Sequence, residues 1–248
     1  IFNGFGGGAS ALVAIAEFFK YTSNPQTAFH MDASISILLT IIIGAVTFTG
    51  SFVAFGKLRG FISGSPVQFP LQKPINALVF LSAIALSVYI VGWAPSMTIF
   101  YIVVGLSLLY GILFVIPIGG ADMPVVVSLL NSFSGLAACA AGFVVQNNIL
   151  IIAGSLVGSA GLILTQIMCK AMNRSLTNVL FSAFGTGDKA AGSTTATGDK
   201  TARSVDAEEA AMIMGFAQSA IIIPGYGMAA AQAQHAVREL TEMLESRG

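Results

Sequence analysis

The chain has 248 residues, of which 55% are hydrophobic and only 9% are charged, and its formal net charge is zero. A soluble domain typically has about 25% charged residues, so this composition excludes an ordinary soluble protein and indicates a membrane protein. The balanced charge also excludes the basic surface that nucleic-acid binding needs. Seven charged residues lie in residues 1–169 and fifteen in residues 170–248, so a hydrophobic block precedes a polar tail.

Six segments of the hydrophobic block are long enough to cross a bilayer, which takes about 20 apolar residues. Turn-forming or charged residues separate them. The predicted spans are 1–19, 35–55, 75–93, 97–118, 123–145 and 149–169. A membrane barrel would instead show apolar residues at every second position. We therefore predict an all-α polytopic membrane helix bundle over residues 1–181.

The positive charges next to the spans indicate an orientation, because basic residues collect on the cytoplasmic side. If the polar tail is cytoplasmic, only Lys20 lies outside. The inner side then has Lys57, Arg59, Lys73, Lys170 and Arg174. This distribution predicts that both ends of the chain lie on the cytoplasmic side, or on the matrix side in a mitochondrion.

Small residues recur at helical spacing in several spans, which is typical of membrane helices that pack closely. In the sixth span these are Gly154, Gly158 and Gly161, with Ser159 beside them. Two asparagines, Asn3 and Asn131, have two open interpretations. A carboxamide at membrane depth is costly without a partner or water, so the two side chains either line a hydrated pathway or join helices.

Acidic and catalytic side chains are scarce in the block. Asp122 begins the fifth span, where an acid suits the helix dipole, and composition leaves its role open. The chain shows no metal-ligand spacing, no nucleophile–base set and no phosphate-binding P-loop. We therefore predict neither a metal site nor a catalytic residue.

The tail has the pattern of a linker followed by the start of a nucleotide-binding fold. Residues 182–205 are rich in Gly, Ser, Thr and Ala, which predicts a flexible linker. Asp206 and Glu209 have the spacing of a capping box, so a helix follows. Residues 219–224 are predicted to form a short buried strand. Residues 225–230 then read G-x-G-x-x-A and open a long helix to about Ser246, which is the dinucleotide-binding arrangement.

The acid that normally confirms this arrangement lies on a second strand, about 20 residues further on. The sequence ends before that point, so residues 206–248 are predicted to be an incomplete α/β, Rossmann-like segment. The chain also begins without an initiator methionine or the charged flank of a signal peptide. We therefore expect both ends to be truncated.

Four sequence stretches together resemble the β subunit of proton-translocating NAD(P)+ transhydrogenase. They are Gly44-Ala-Val-Thr-Phe-Thr-Gly-Ser51, Gly119-Gly-Ala-Asp-Met-Pro-Val-Val-Val127, Met168-Cys-Lys-Ala-Met-Asn-Arg-Ser175 and Pro224-Gly-Tyr-Gly-Met-Ala229. The resemblance runs in order over nearly the whole chain. It implies membrane domain II joined to the start of the NADP(H)-binding domain III, with hydride transfer between NAD(H) and NADP(H) coupled to inward proton movement.

The resemblance also implies roles for particular residues. Asn131 matches the channel asparagine, and Asp122 matches an acid at the face between domains II and III. Gly154, Gly158, Ser159 and Gly161 match small residues of the last membrane helix. Gly225, Tyr226, Gly227, Met228, Ala229 and Ala230 match the NADP(H) loop. Asn3 departs from the family, because many members have a channel histidine there; Ala160 likewise replaces a serine.

The implied partners are the α subunit, or an NAD(H)-binding domain I with its membrane helices, and a second copy in a homodimer. The implied location is the bacterial inner membrane, or the mitochondrial inner membrane in a eukaryote. Two alternatives have no such enzyme role. One is a secondary transporter or channel with a regulatory nucleotide-binding tail, which requires broken helices at the membrane midplane. The other is a membrane-anchored nucleotide sensor, which leaves Asn3 and Asn131 unexplained.

Overall fold

The structure is a computed structural model of the chain. It describes residues 1–23, 31–67, 69–93, 96–173, 175–181, 206–217, 219–225, 228 and 233–246. The chain divides into two compact units, Ile1–Gly185 and Thr186–Gly248. The predicted linker, residues 182–205, lies outside the described residues.

The described residues of the first unit form six long α-helices and one short one. Their bounds are α1 Phe2–Ser23, α2 Met31–Leu58, α3 Gln72–Gly92, α4 Met97–Val115, α5 Met123–Val144, α6 Asn148–Ala171 and α7 Leu176–Phe181. Each predicted span coincides with one long helix, with ends that differ by a few residues. α6 begins where the Asn147 side chain accepts a hydrogen bond from the Leu150 amide at 3.1 Å, and Pro124 occupies the first turn of α5.

In the part of the chain that the structure describes, five helices, α2 to α6, are long and apolar enough to cross a membrane. α1 has 22 residues but is not among them. Its first two turns contain Asn3 and four glycines, which lower its mean hydropathy. The predicted first span is therefore a helix, but length and composition do not mark it as a sixth crossing.

α2 and α5 form the centre of the bundle. α2 packs against α1, α4 and α5, and α5 packs against α1, α2 and α6, whereas α3 packs mainly against α4. The central helix α2 is also more buried than the peripheral ones. In its most apolar part 67% of the residues are buried, compared with 28% in α3 and 22% in α6. Neighbouring helices along the chain are antiparallel, and α1 runs parallel to α5.

Two hydrophobic clusters lie at opposite ends of this unit. One joins α1, α2 and α4, and its Phe18 and Phe100 rings stack with centroids 3.7 Å apart. The other includes Met123, Cys169 and Val179, so α7 packs beneath the start of α5 and the end of α6. We call this the α7 end of the bundle.

The described part of the second unit consists of two helices and an extended stretch. In α8, Ala207–Phe216, the Asp206 side chain accepts from the Glu209 amide at 2.8 Å, which confirms the predicted cap. α9 is Gln234–Glu245. The predicted strand over residues 219–224 is not formed: these residues are exposed and pair with no strand among the described residues. A lone strand would leave its backbone N–H and C=O groups without hydrogen-bond partners, and it would have no sheet in which to be buried.

Candidate functional site

The contact between α5 and α6 depends on glycines that bring the two backbones together. A methyl group on Gly161 would lie 2.7 Å from Ser132 Cα, and one on Gly154 would lie 2.7 Å from the Gly135 carbonyl oxygen. Real side chains do not approach backbone atoms this closely. Gly154, Gly158 and Gly161 are all buried, and each faces α5 at a distance that leaves no room for a side chain.

Two serines of α5 donate hydrogen bonds across the same contact. Ser132 Oγ donates to the Gly158 carbonyl at 2.7 Å, and Ser128 Oγ donates to the Gly161 carbonyl at 3.3 Å. Both bonds are buried. They can form only because the glycines let each hydroxyl reach a backbone carbonyl of the neighbouring helix. The contact therefore fixes both the separation and the register of α5 and α6.

The two asparagines lie on the face where α1 meets α5. Asn3 Nδ2 donates to the Val127 carbonyl at 3.3 Å. Asn131 is one helical turn further along α5 and is half-buried. Its carboxamide makes no hydrogen bond to any other described residue, while its backbone carbonyl accepts from Ser134 Oγ at 2.8 Å. Asn3 thus joins helices, and Asn131 has amide groups available to water or to a further chain.

The other two residues predicted for the proton path are not part of this face. Asp122 ends a 3₁₀ turn, Gly120–Asp122, at the α7 end, and is 9% exposed. It lies more than two helical turns before Asn131 along α5. Ser159 is exposed on α6. The structure therefore brings Asn3 close to the Asn131 turn, and it leaves Asp122 and Ser159 at separate positions.

Lys57 is a buried cation, whereas its position in the sequence indicates only the orientation of the bundle. It is 4% exposed, and its Nζ donates to the carbonyls of Ile116 at 2.5 Å, Ile118 at 2.8 Å and Ser65 at 3.3 Å. The first two carbonyls lie just after the end of α4, where a cation also suits the helix dipole. Lys57 therefore ties the end of α2 to the loop that leads to Asp122. No local pattern could reveal the bonds to Ile116 and Ile118, because these residues are 59 and 61 positions from Lys57 along the chain.

Only part of the predicted nucleotide loop is described. Gly225 is exposed, and its carbonyl accepts from the Met228 amide at 3.1 Å. Tyr226, Gly227, Ala229 and Ala230 lie outside the described residues. The helix predicted from this loop to about Ser246 is described as α9 from Gln234 onward.

The arrangement offers hydrogen-bonding groups and tight helix contacts rather than bond-making chemistry. In the described part of the chain, no three His, Cys, Asp or Glu side chains are grouped to hold a metal ion. The amides and hydroxyls of α1, α5 and α6 can order water and can hold helices in a defined register. Asn131 and the two serines lie on α5 between Asp122 and the end of this helix at Val144.

The whole chain, residues 1–248, matches the family model of the NAD(P) transhydrogenase beta subunit. Two curated relatives are called NAD(P) transhydrogenase subunit beta, both from Rhodospirillum rubrum and one of them from a named strain. Each is 46% identical to this chain over 250 residues, and the match covers 100% of the chain and 54% of the relative. The chain therefore spans about half the length of these relatives.

Proposed function

Because this chain belongs to the NAD(P) transhydrogenase beta subunit family, we propose that it is part of an enzyme that couples hydride transfer between NAD(H) and NADP(H) to proton translocation. The nicotinamides themselves exchange the hydride, so the protein supplies binding, orientation and coupling. In this proposal the chain provides the membrane bundle and the start of the NADP(H)-binding domain. The alternative of a secondary transporter with a regulatory tail is not favoured by the family.

The observation that carries this proposal is the α5–α6 contact, in which backbone touches backbone over several turns. A contact of this kind makes the two helices move together, because no flexible side chain separates them. α6 leads through α7 toward the nucleotide-binding tail, α5 carries Asn131, and Asp122 directly precedes α5. A change at the nucleotide can thus reach the α1–α5 face by moving one rigid pair of helices.

We place the proton path along the α1–α5 face. Asn131 and Asn3 order water at membrane depth, Asp122 exchanges protons at the α7 end, and Ser159 faces helices supplied by another part of the enzyme. Neither asparagine titrates, so the group that carries the proton in mid-membrane comes from a helix outside this chain. In this proposal Gly154, Gly158 and Gly161 serve coupling through packing.

Six crossings are the simplest topology for this bundle. α1 lies parallel to α5 and alongside it. Asn3 bonds to the Val127 carbonyl, and a methyl group placed on Gly6 would lie 3.8 Å from Ser134 Cβ. This arrangement supports α1 as the sixth crossing despite its lower hydropathy. The basic residues Lys57, Arg59 and Lys73 then share the α7 end, which supports a cytoplasmic or matrix position for that end.

In this proposal the tail belongs to a domain that binds NADP(H). Gly225, Tyr226, Gly227, Met228, Ala229 and Ala230 would form the loop at the pyrophosphate. Gly225 would permit the tight turn, and Gly227 would let the backbone approach the pyrophosphate. NAD(H) would bind to a domain I partner on the α subunit. The remaining proposals are a homodimer of the full unit and an inner-membrane location, bacterial or mitochondrial.

Asn131→Leu in the complete enzyme, reconstituted in vesicles, tests the proposed path. Leucine has the same branched shape and the same number of side-chain heavy atoms but cannot order water, so we expect proton pumping to fall at least about tenfold, which corresponds to about 1.4 kcal/mol. Asn148→Leu is the matched control, because Asn148 is exposed at the start of α6. Pumping by Asn131→Leu within about twofold of the control, a difference of about 0.4 kcal/mol, would reject the path and leave a packing role.

A further inference from the structure

An apolar groove runs along α3 because that helix packs mainly on α4 and leaves a gap toward α2 and α5. Three adjoining cavities form it, with volumes of about 420, 320 and 390 Å³. They are given in order from the end of the bundle opposite α7, which we call the outer end, to the α7 end. The middle cavity shares Leu39, Ile42 and Ile84 with the outer one. It shares Phe80, Tyr110 and Phe114 with the cavity at the α7 end. We call this the α3 groove.

The middle of the groove has the chemistry of a hydrocarbon chain. The residues that line it are aliphatic or aromatic, from α2, α3, α4 and α5, and the hydroxyl of Tyr110 is the one polar side-chain group among them. A groove of this kind, open toward the lipid along its length, suits an acyl chain better than a water-filled path.

The α7 end of the groove differs in charge and polarity. Lys73 and Asn76 line this cavity together with Phe80, Tyr110 and Leu180. Lys73 is exposed in the first turn of α3, where the helix dipole also favours an anion, and it makes no ion pair with another described residue. A single negative charge beside Lys73 would interact favourably with both the lysine and the dipole of α3.

Asn76 supplies the second, independent observation. It is only 7% exposed, and its Nδ2 donates to the Leu113 carbonyl at 3.2 Å, which fixes the orientation of the amide. Its Oδ1 is buried and accepts no hydrogen bond from any described residue. A buried acceptor without a donor is costly, so a ligand that brings a hydroxyl to this cavity would be favoured.

The dimensions agree with one leaflet of a bilayer. Lys73 and Ile84 are eleven residues apart on α3, which is about 16 Å along the helix. Half of the hydrocarbon core of a bilayer is about 15 Å. A chain whose headgroup sits at Lys73 therefore ends near Ile84, within the middle cavity, and the outer cavity is left to the opposite leaflet.

We propose that the α3 groove binds one acyl chain of a singly charged anionic glycerophospholipid with a hydroxylated headgroup, such as phosphatidylglycerol. The phosphate lies beside Lys73 and the start of α3, and a headgroup hydroxyl donates to Asn76 Oδ1. A helix of a partner or of a second copy could fill the apolar middle of the groove, whereas a phospholipid brings an anion and a hydroxyl together at one end of an apolar chain. The combination of charge, acceptor and groove selects the lipid.

The test is native mass spectrometry of the protein to which this chain belongs, stripped of lipid in detergent and titrated with phosphatidylglycerol. We expect one tight site, with a Kd about fivefold higher in Lys73→Gln, because one lysine near a membrane surface accounts for a change of this size. Arg59→Gln is the matched control, since Arg59 is an exposed cation at the same end and outside the groove. Equal Kd values in the two variants would overturn the proposal.

Two further measurements separate the headgroup from the chain. Phosphatidylmethanol has the same charge but no hydroxyl, so the wild type should prefer phosphatidylglycerol about threefold to tenfold, and Asn76→Leu should abolish this preference. Ala77→Trp should block the site without a change in the melting temperature. Undiminished binding to Ala77→Trp, or equal affinity for phosphatidylcholine and phosphatidylglycerol in the wild type, would show that the groove is not the lipid site.

Discussion

Two helix pairs of this bundle pack in opposite ways. In α5–α6, the glycines remove side chains from the contact, and serine hydroxyls reach the carbonyls of the other helix. In α3–α4, large side chains make the contact, as the Phe80 and Tyr110 rings with centroids 5.0 Å apart illustrate. The first pair is held in one register by its backbones, whereas the second is joined by flexible apolar surface. Rigid coupling is therefore expected in α5–α6, and tolerance to substitution in α3–α4.

The largest difference between the pairs should appear with Gly161→Leu and Gly105→Leu. A side chain on Gly161 meets the backbone of Ser132, while a Cβ on Gly105 of α4 has nothing within 4 Å. We expect Gly161→Leu to lower the free energy of unfolding in detergent by about 3 kcal/mol, and Gly105→Leu to change it by less than about 1 kcal/mol. Steric-trapping measurements of both variants would decide this, and equal losses would contradict the backbone-contact description of α5–α6.

The next effect concerns the attachment of the α3–α4 pair to the centre of the bundle. Lys57 reaches the carbonyls at the end of α4, so Lys57→Met removes their donor inside the protein. We expect a loss of about 2 kcal/mol in the free energy of unfolding, partly restored in Lys57→Arg. The control is Arg59→Gln, in which an exposed cation is removed. A loss in the control as large as in Lys57→Met would assign the effect to net charge rather than to the buried hydrogen bonds.

The smallest effect tests the hydroxyl bonds of the α5–α6 pair. Ser132 Oγ donates across the contact, and exposed Ser155 Oγ donates within α6 to the Ile152 carbonyl at 2.9 Å. Hydrogen bonds between membrane helices average about 0.6 kcal/mol, so Ser132→Ala should lower the free energy of unfolding by about that amount. Ser155→Ala should change it less. Equal free energies of unfolding of the two alanine variants would contradict a role for the Ser132 hydroxyl and would show that the glycines alone define the contact.

The parts of the fold that could be predicted from the sequence are those that depend on local pattern. Apolar runs located the six long helices that the structure describes, and Asp206 with Glu209 located the start of α8. The buried environment of Lys57 and the acceptor on Asn76 could not be predicted, because both depend on carbonyls of a distant helix. The prediction of a strand over residues 219–224 was wrong for a related reason, because an apolar run forms a strand only where a second strand pairs with it.

The α1–α5 face illustrates the same limit at the candidate site. The cost of burying an amide marked Asn3 and Asn131 as unusual, but their relation follows from the parallel packing of α1 on α5, which no sequence spacing contains. Ser159 was grouped with them by resemblance, and the structure places it on the exposed side of α6. A role for Ser159 therefore depends on helices contributed by another chain or segment.

The most direct test of coupling is the reactivity of a thiol at position 131. In the complete enzyme with Cys139 and Cys169 replaced by alanine, Asn131→Cys would be labelled with a maleimide in the absence and presence of NADPH. If nucleotide binding moves the α5–α6 pair, the labelling rate should change by at least about fivefold, the lower end of typical coupling between sites. Leu81→Cys on lipid-exposed α3 should show no change. Identical labelling rates at position 131 with and without NADPH would contradict the coupling role of the α5–α6 contact.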